Sequence, residues 1–397
     1  MGGKDRMHRK RGAVAVLLAA AAAIAAVVAA TATAKTNAPA ALASSDTALV
    51  KCGKTRSIGL LAPITGPAAS LGKFQVDWAA YYVSKYNATH RKTKFKLVRG
   101  DTVLGGPGGT AEAVKAAQSF GSSVLGVVGP AGSNEVRATT PTLKNAGLAF
   151  VSGSATNTEL TTDGTRTNYF FRTVPPDSAQ GSSVANYIIK KFKYKRVYII
   201  DDQEAYSTGL ADTVQQKLRA ANITVQRDGV SQQQSDFSAL IAKIPRDYQL
   251  VYTPWQLPPK GKAFGQQMRA AGKGNITLMG SDGLFDPDYA SVGTNVYASS
   301  FPTSAKNPVV RSFNRSHGDP EFFGAPTYVA AQVIGGAIDR ACKNGTASRA
   351  EVRAQVRKTK LKSTVLGLPV KFNKQGDIAG GQFGIWKSNG SAFNPVG

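Results

Sequence analysis

The feature that most limits what this chain can fold into is an alternation of short apolar runs with helical stripes, repeated twice along its length. Arg56–Ala62 is an apolar run, followed by a Thr65-Gly66-Pro67 turn. Gly72–Asn87 then places Val76, Ala79, Ala80 and Val83 at helical spacing. Phe95–Gly100 reads as a strand and Thr110–Phe120 as a helix. Val124–Gly129 is apolar without interruption, the mark of a strand buried on both faces. Ser133–Asn145 is a helix and Leu148–Ser152 a further strand. After Pro175-Pro176 the rhythm resumes, with strands at Arg196–Asp201, Thr224–Asp228, Leu250–Thr253 and Thr277–Met279. Helices near Ser182–Lys191, Gly209–Ala221, Phe237–Ile244 and Lys262–Ala271 separate them. Such alternation predicts parallel sheets covered by helices on both faces. Two runs of it predict an α/β protein of two doubly wound parallel-sheet lobes.

The last third differs. Thr327–Lys343 carries a long helical stripe (Ala330, Val333, Ile334, Ala337, Ile338, Ala341), and a second helix covers Ser348–Lys358. Strands near Val365–Phe372 and Phe383–Lys387 are expected to return and complete the earlier sheets. A chain of 397 residues, 42% hydrophobic, has enough material for two cores. The expected division is residues 52–174 with 302–380 in the first lobe, and 175–301 with 381–397 in the second.

The N-terminus reads as an address. Basic residues from Lys4 to Arg11 precede an apolar run, Ala13–Ala30, and small residues ending in Ala41-Leu42-Ala43. That order is a secretory signal peptide, residues 1–43, with cleavage after Ala34 fitting almost as well. A membrane anchor is the competing reading, weakened by the dominance of alanine. Val50-Lys51 before Cys52 is wrong for the small residues that lipid attachment needs. The protein is therefore expected to be exported, periplasmic or extracellular. In that compartment Cys52 and Cys342, the only cysteines, are expected to form a disulfide.

Charge and chemistry-bearing residues exclude several classes. Lys and Arg number 49 against 24 Asp and Glu, a net charge of +25. Residues 1–43 hold six basic residues and one acidic, leaving +20 for the remainder. The cations are read as scattered, without a basic helix or aromatic–basic interleaving, so a solvated basic surface is expected and nucleic-acid binding is not. Two cysteines and three histidines (His8, His90, His317) leave no zinc site and no nucleophile with a partner, so neither a metal, a cofactor nor a catalytic residue is assigned. Gly105–Thr110 lacks the Gly-Lys-Ser/Thr ending of a phosphate loop and reads as a turn. Asp201, Asp202, Asp282 and Asp286 offer the ligands for a metal cluster, but solvated strand ends and turns are the expected reading.

The sharper signals lie at strand ends, where open parallel sheets bind ligands. Val124–Gly129 runs into Pro130-Ala131-Gly132-Ser133, where Ser133 is expected to cap a helix whose free N–H groups favour an anion. Ala149–Ser152 runs into Gly153–Glu159, and Thr156-x-x-Glu159 has the spacing of a capping box. Two neighbouring strand ends thus offer hydroxyl and N–H groups suited to a carboxylate; two ligand-free helix caps remain the plain alternative.

Several segments together resemble the leucine/isoleucine/valine-binding proteins: Ile58–Pro67, Val127–Ser133, Ser152–Leu160, Phe171-Arg172-Thr173, Ile200–Ala211, Asp236–Ile241 and Met279–Gly283. The resemblance runs in order from about Arg56 to Ser388. It implies the type I periplasmic-binding-protein fold, two lobes joined by three crossovers that close on a ligand. It also implies an extracytoplasmic solute receptor of an ABC transporter, working as a monomer with a membrane permease and binding a branched-chain-like amino acid or related small zwitterion. By matching motifs, Ser133, Ser154 and Thr156, with Ala155 between them, fall where the family holds the α-carboxylate. Tyr206 falls at an aromatic position against the ligand, and Asp282 where an acid pairs with the α-ammonium. Leu71 stands where the family often has an aromatic. Trp255 or Gln256, and Phe322 or Phe323, are further pocket candidates. A ligand-sensing module of a signalling system on the same fold is the alternative.

Overall fold

A computed structural model describes residues 47–301, 306–317 and 323–396. The expected leader, residues 1–43, and Phe322 lie outside the described residues. Among the described residues the strands are, in chain order, β1 (Val50–Lys51), β2 (Thr55–Ala62), β3 (Lys94–Asp101), β4 (Val124–Val128), β5 (Phe150–Ser152), β6 (Phe170–Arg172), β7 (Arg196–Asp201), β8 (Thr224–Gly229), β9 (Leu250–Thr253), β10 (Thr277–Gly280), β11 (Val296–Ser300), β12 (Thr346–Ala347), β13 (Gly384–Ser388) and β14 (Phe393–Pro395). A five-stranded sheet has the order β3-β2-β4-β5-β6, and all its pairs are parallel. A seven-stranded sheet has the order β14-β13-β11-β10-β9-β7-β8; β7 to β11 are parallel, and β13 and β14 close one edge antiparallel.

Burial on both faces explains the sequence pattern. All five residues of β4 are buried, as a parallel strand covered by helices requires. On one face of the first sheet, Trp78 and Tyr82 of the Ala69–Thr89 helix pack with Val333, Ile334, Ala337 and Ile338 of the Gly324–Ala341 helix. On the other, Leu61, Phe120, Val136 and Leu143 form a separate core. The second sheet is flanked in the same way, with Phe237, Trp255 and Phe264 on one side and Val184, Leu210 and Val214 on the other.

The chain passes between the sheets three times: between β6 and the Asp177–Tyr187 helix, after β11, and before β13. Two expectations are corrected, and two elements come in addition to those expected. Val365–Phe372 is not a strand; only single bridges join Leu361 to Val370 and Phe372 to Ile378. Its apolar residues Val365, Val370 and Phe372 are buried side on in the first core, so an apolar run here seals a core without pairing. β11 and the Pro308–His317 helix, which stacks Phe313 on Trp78 at 3.9 Å, had no expectation. The helices after Pro176 and Glu204 start at Asp177 and Ala205, four or five residues earlier than their apolar stripes suggest, and that brings Asp177 and Tyr206 into first turns.

Among the described residues no helix is long and apolar enough to cross a membrane. Cys52 and Cys342 form a disulfide across a sequence separation of 290 residues. β1 pairs with β12 beside it, and the Cys52 N–H donates to the Gly345 carbonyl at 2.8 Å. The bridge fastens the start of the described chain to the end of the longest helix of the last third. Titration of the unfolded, unreduced protein should therefore find no free thiol. Cys52→Ser with Cys342→Ser should lower unfolding free energy by about 2–4 kcal/mol in denaturant melts.

Candidate functional site

In each sheet the strand order reverses direction at one point, between β2 and β4 in the first and between β7 and β9 in the second. Loops that leave neighbouring strands on opposite sides of such a point part and open a crevice at the carboxyl ends. A cavity lies between the two. The first sheet contributes Pro63, Leu71 and Gln75 after β2, Leu104 after β3, Ala131 to Ser133 after β4 and Ser154 after β5. The second contributes Tyr206 after β7, Gln256 after β9, and Asp282 and Gly283 after β10; Phe323 completes the wall.

On the first side, Gly129 makes the approach possible. Its φ is +96°, and a Cβ there would lie 2.1 Å from the Leu61 carbonyl oxygen, so no other residue fits this turn. The helix that follows is Ser133–Asn145, and its cap is Gly132 where Ser133 was expected. Gly132 takes the role because the Glu135 carboxylate reaches back to its N–H at 2.9 Å. Burial pushes the Glu135 carboxyl up to about 7, against the hydrogen bonds from Gly132 and Thr102 that pull it down. Ser133 Oγ accepts from the Asn157 N–H at 3.2 Å, which leaves its own proton to donate into the cavity. Ser154 is more committed: its hydroxyl donates to the Ala131 carbonyl at 2.9 Å and accepts from Gln75 Nε2 at 2.8 Å.

Ala155 and Thr156 stand behind the wall, 1% and 0% exposed. The Ala155 N–H is taken by Ser152 Oγ at 2.9 Å. The Thr156-x-x-Glu159 capping box does not form. Asn157 Oδ1 accepts from the Glu159 N–H at 2.9 Å instead, and the Glu159 carboxylate pairs with Arg137. An Asn one residue nearer made the better turn. Behind these loops sits Arg172 of β6, fully buried. It bonds Asp377 at 2.6 Å, the Asn157 carbonyl at 2.7 Å and Thr161 Oγ1 at 2.8 Å, so one guanidinium ties the 155–157 loop to the third crossover.

On the second side, Asp282 opens a 3-10 turn directly after β10 and is 1% exposed. Its Oδ1 accepts from Gln180 Nε2 at 2.7 Å and from the Tyr206 hydroxyl, and the residue lines the cavity. Burial pushes its carboxyl up to about 6, although both donors favour the ionised form. Asp177 lies close behind. Burial first, and then the neighbouring Asp282, hold its carboxyl well above the usual range, against the nearby Thr156 hydroxyl and the Arg172 guanidinium. Two carboxyls in one dry pocket resist carrying two charges. An arriving cation would relieve them.

The two sides touch across the cleft. Asn134 Nδ2 bonds Glu204 at 2.8 Å, Asn157 Nδ2 bonds the Ala205 carbonyl at 2.6 Å, and Gln233 Nε2 bonds the Gly105 carbonyl at 3.2 Å. Leu257 packs with Ala68, Leu104 and Ala131. The glycine-rich turn at 105–109 thus forms part of the cleft's rim.

Of the residues singled out from sequence, Leu71, Ser133, Ser154, Tyr206, Gln256, Asp282 and Phe323 meet at the cavity. Trp255 does not. Its ring stacks on Phe237 at 5.7 Å in the core, its Nε1 donates to the Ile200 carbonyl at 2.7 Å, and Lys260 lies over it at 4.6 Å. Asp201 pairs with Arg227, and Asp286 caps the turn at Asp288 N. Gln75, Leu104, Asp177 and Gln180 were missed. A polar residue on a helix carries no periodic signal, and Asp177 became visible only when its helix was found to begin there.

A two-lobed shell closed on a small cavity, with donors on one wall and an acid on the other, defines a ligand-binding protein. The family model for periplasmic binding proteins matches residues 55–385, and the chain belongs to that family. It is 30% identical over 342 residues to the Leu/Ile/Val-binding protein BraC3 of Rhizobium johnstonii, covering 83% of this chain and 91% of that one. Among solved structures, a leucine binding protein LivK from Thermotoga maritima superposes with TM-score 0.76 at 22% identity, covering 86% of this chain and 98% of that one. A solute binding protein of R. palustris in complex with benzoate gives 0.75 at 18% identity, covering 86% and 96%. The protein is a binding protein and not an enzyme.

The position of Arg172 generates a stability prediction. Arg172→Met should cost about 3–5 kcal/mol in denaturant unfolding, because it strands the Asp377 carboxylate and the buried acceptors of Ala155, Asn157 and Thr161.

Proposed function

We propose that this protein is an extracytoplasmic solute receptor that binds a branched-chain-like amino acid, or a related small zwitterion, and delivers it to the permease of an ABC transporter by closing two lobes around it. The observation that carries this reading is the polarity of the cavity. The N–H groups of Ser133 and Asn134 have no acceptor among the described residues, and with the Ser133 hydroxyl they suit a carboxylate at a helix N-terminus. Asp282, opposite, offers a carboxylate to an ammonium. Between them Pro63, Leu71, Leu104, Ala131 and Phe323 give an apolar wall, suited to an aliphatic side chain. Leu71, in place of an aromatic, leaves that end roomier. The name of the Rhizobium relative supports the amino-acid class.

In the empty protein Asp282 is ionised at neutral pH against its burial. A folded-state carboxyl near 6, above the unfolded value near 4, contributes stability below pH 4 that is lost as pH rises through 6. A bound ammonium restores it. The same balance separates an amino acid from a simple carboxylate such as benzoate, which needs Asp282 protonated.

Two outcomes are expected in calorimetric titration. Asp282→Ala should weaken amino-acid binding by about 3–5 kcal/mol, the cost of leaving a buried charge unpaired, while the protein stays folded. Lowering pH from 7 to 5 should weaken amino-acid binding about tenfold, since the ligand must compete with a proton on a group titrating near 6. Tighter binding at pH 5 would instead identify a ligand without an ammonium group.

A further inference from the structure

The cations are not scattered at one place. Residues 190–196 read Lys-Lys-Phe-Lys-Tyr-Lys-Arg, five cations interleaved with two aromatics, and the fold sets this run at the end of the second lobe that faces away from the cavity. Lys190 and Lys191 lie in the last turn of a π-helix, Ile188–Phe192. Lys193 ends it with φ 58°, a left-handed position that favours glycine or asparagine. Lys195 and Arg196 lead into β7. Lys190, Lys191, Lys193 and Lys195 are exposed and carry no ion pair among the described residues; Arg196 pairs with the exposed Asp247.

Other elements bring the same chemistry to this end. β13 runs antiparallel to β11, so its register places exposed Lys387 opposite Tyr297, with Nζ 5.7 Å from the ring. Phe192 stacks on Tyr194 at 4.8 Å and meets Tyr187 and Tyr297 edge-on, both at 4.9 Å, and all four rings are half-buried. Helix-dipole compensation accounts for Lys190 and Lys191, but not for Lys195 or Lys387, which lie on strands or leading into them.

We infer that this face docks on an anionic phospholipid bilayer. Lysines supply electrostatic attraction to the headgroups, and amphipathic aromatic rings suit the headgroup depth; a soluble polyanion would need the cations alone. β7 spans six residues, Arg196–Asp201, so the face lies about 20 Å from the cavity rim. The protein can therefore rest on a membrane with its cleft free to open and close.

The test is co-sedimentation of the protein freed of its expected leader, residues 1–43, with vesicles, comparing equal parts phosphatidylcholine and phosphatidylglycerol with phosphatidylcholine alone. The variant carries Lys190→Gln, Lys191→Gln, Lys193→Gln and Lys195→Gln. Wild type should gain binding on the anionic vesicles and lose that gain at high salt, where the Debye length falls to about 3 Å. At about fivefold per lysine, the variant should lose several hundredfold of it. The variant's melting temperature and ligand-induced thermal shift should match wild type, since these residues lie far from the cleft. Three results overturn the proposal: no preference for anionic vesicles, a salt-insensitive preference, or a folded variant that binds as wild type does. Capture of soluble polyphosphate without binding to vesicles also overturns it.

Discussion

Everything functional here follows from the parallel direction of the strands. Parallel strands deliver all their carboxyl-terminal loops to one end of a sheet, and the two sheets present those ends to each other. A cavity lined from both sides is the consequence. The same geometry sends the amino-terminal ends away, so the molecule is polarised: Asp177, Asp202, Glu204 and Asp282 gather near the cleft, while Lys193, Lys195 and Arg196 gather at the opposite end of the second sheet.

Within the cleft, desolvation is the effect that decides the chemistry. Asp282, held by Gln180 and Tyr206, and Asp177 close behind it sit in a setting too dry for two charges. Hydrogen bonds pull Asp282 toward ionisation, and burial outweighs them. Two acids set this close in a dry pocket make a second charge costly, and that is the physical basis of the proposed preference for a ligand with an ammonium group. Arg172, joining the 155–157 loop to Asp377, shows how the Ser133 wall is held in register with the crossovers.

The fold was largely legible because burial on both faces writes an unmistakable pattern. β4 and the 327–341 stripe are examples. What failed was local. Val365–Phe372 has a strand's composition, but its apolar residues needed only to be buried. Ser133 has a cap's identity, yet Gly132 holds that position because Glu135 reaches it. Trp255 has a pocket residue's identity, yet the Ile200 carbonyl claims its indole. In each case a residue type suited two roles, and a partner distant in sequence chose between them.

The sequence by itself determined the alternation of strand and helix, the family motifs, the pairing chemistry of two exported cysteines, and the acid at position 282. Those properties are local, or belong to residues with few alternatives. Only the tertiary structure decided that Thr156 and Ala155 stand behind the wall, that Gln75 and Gln180 orient the site, and that Lys387 joins the 190–196 run. Each of those depends on which sheet edge or loop meets which, and long-range contacts leave no periodic trace along the chain.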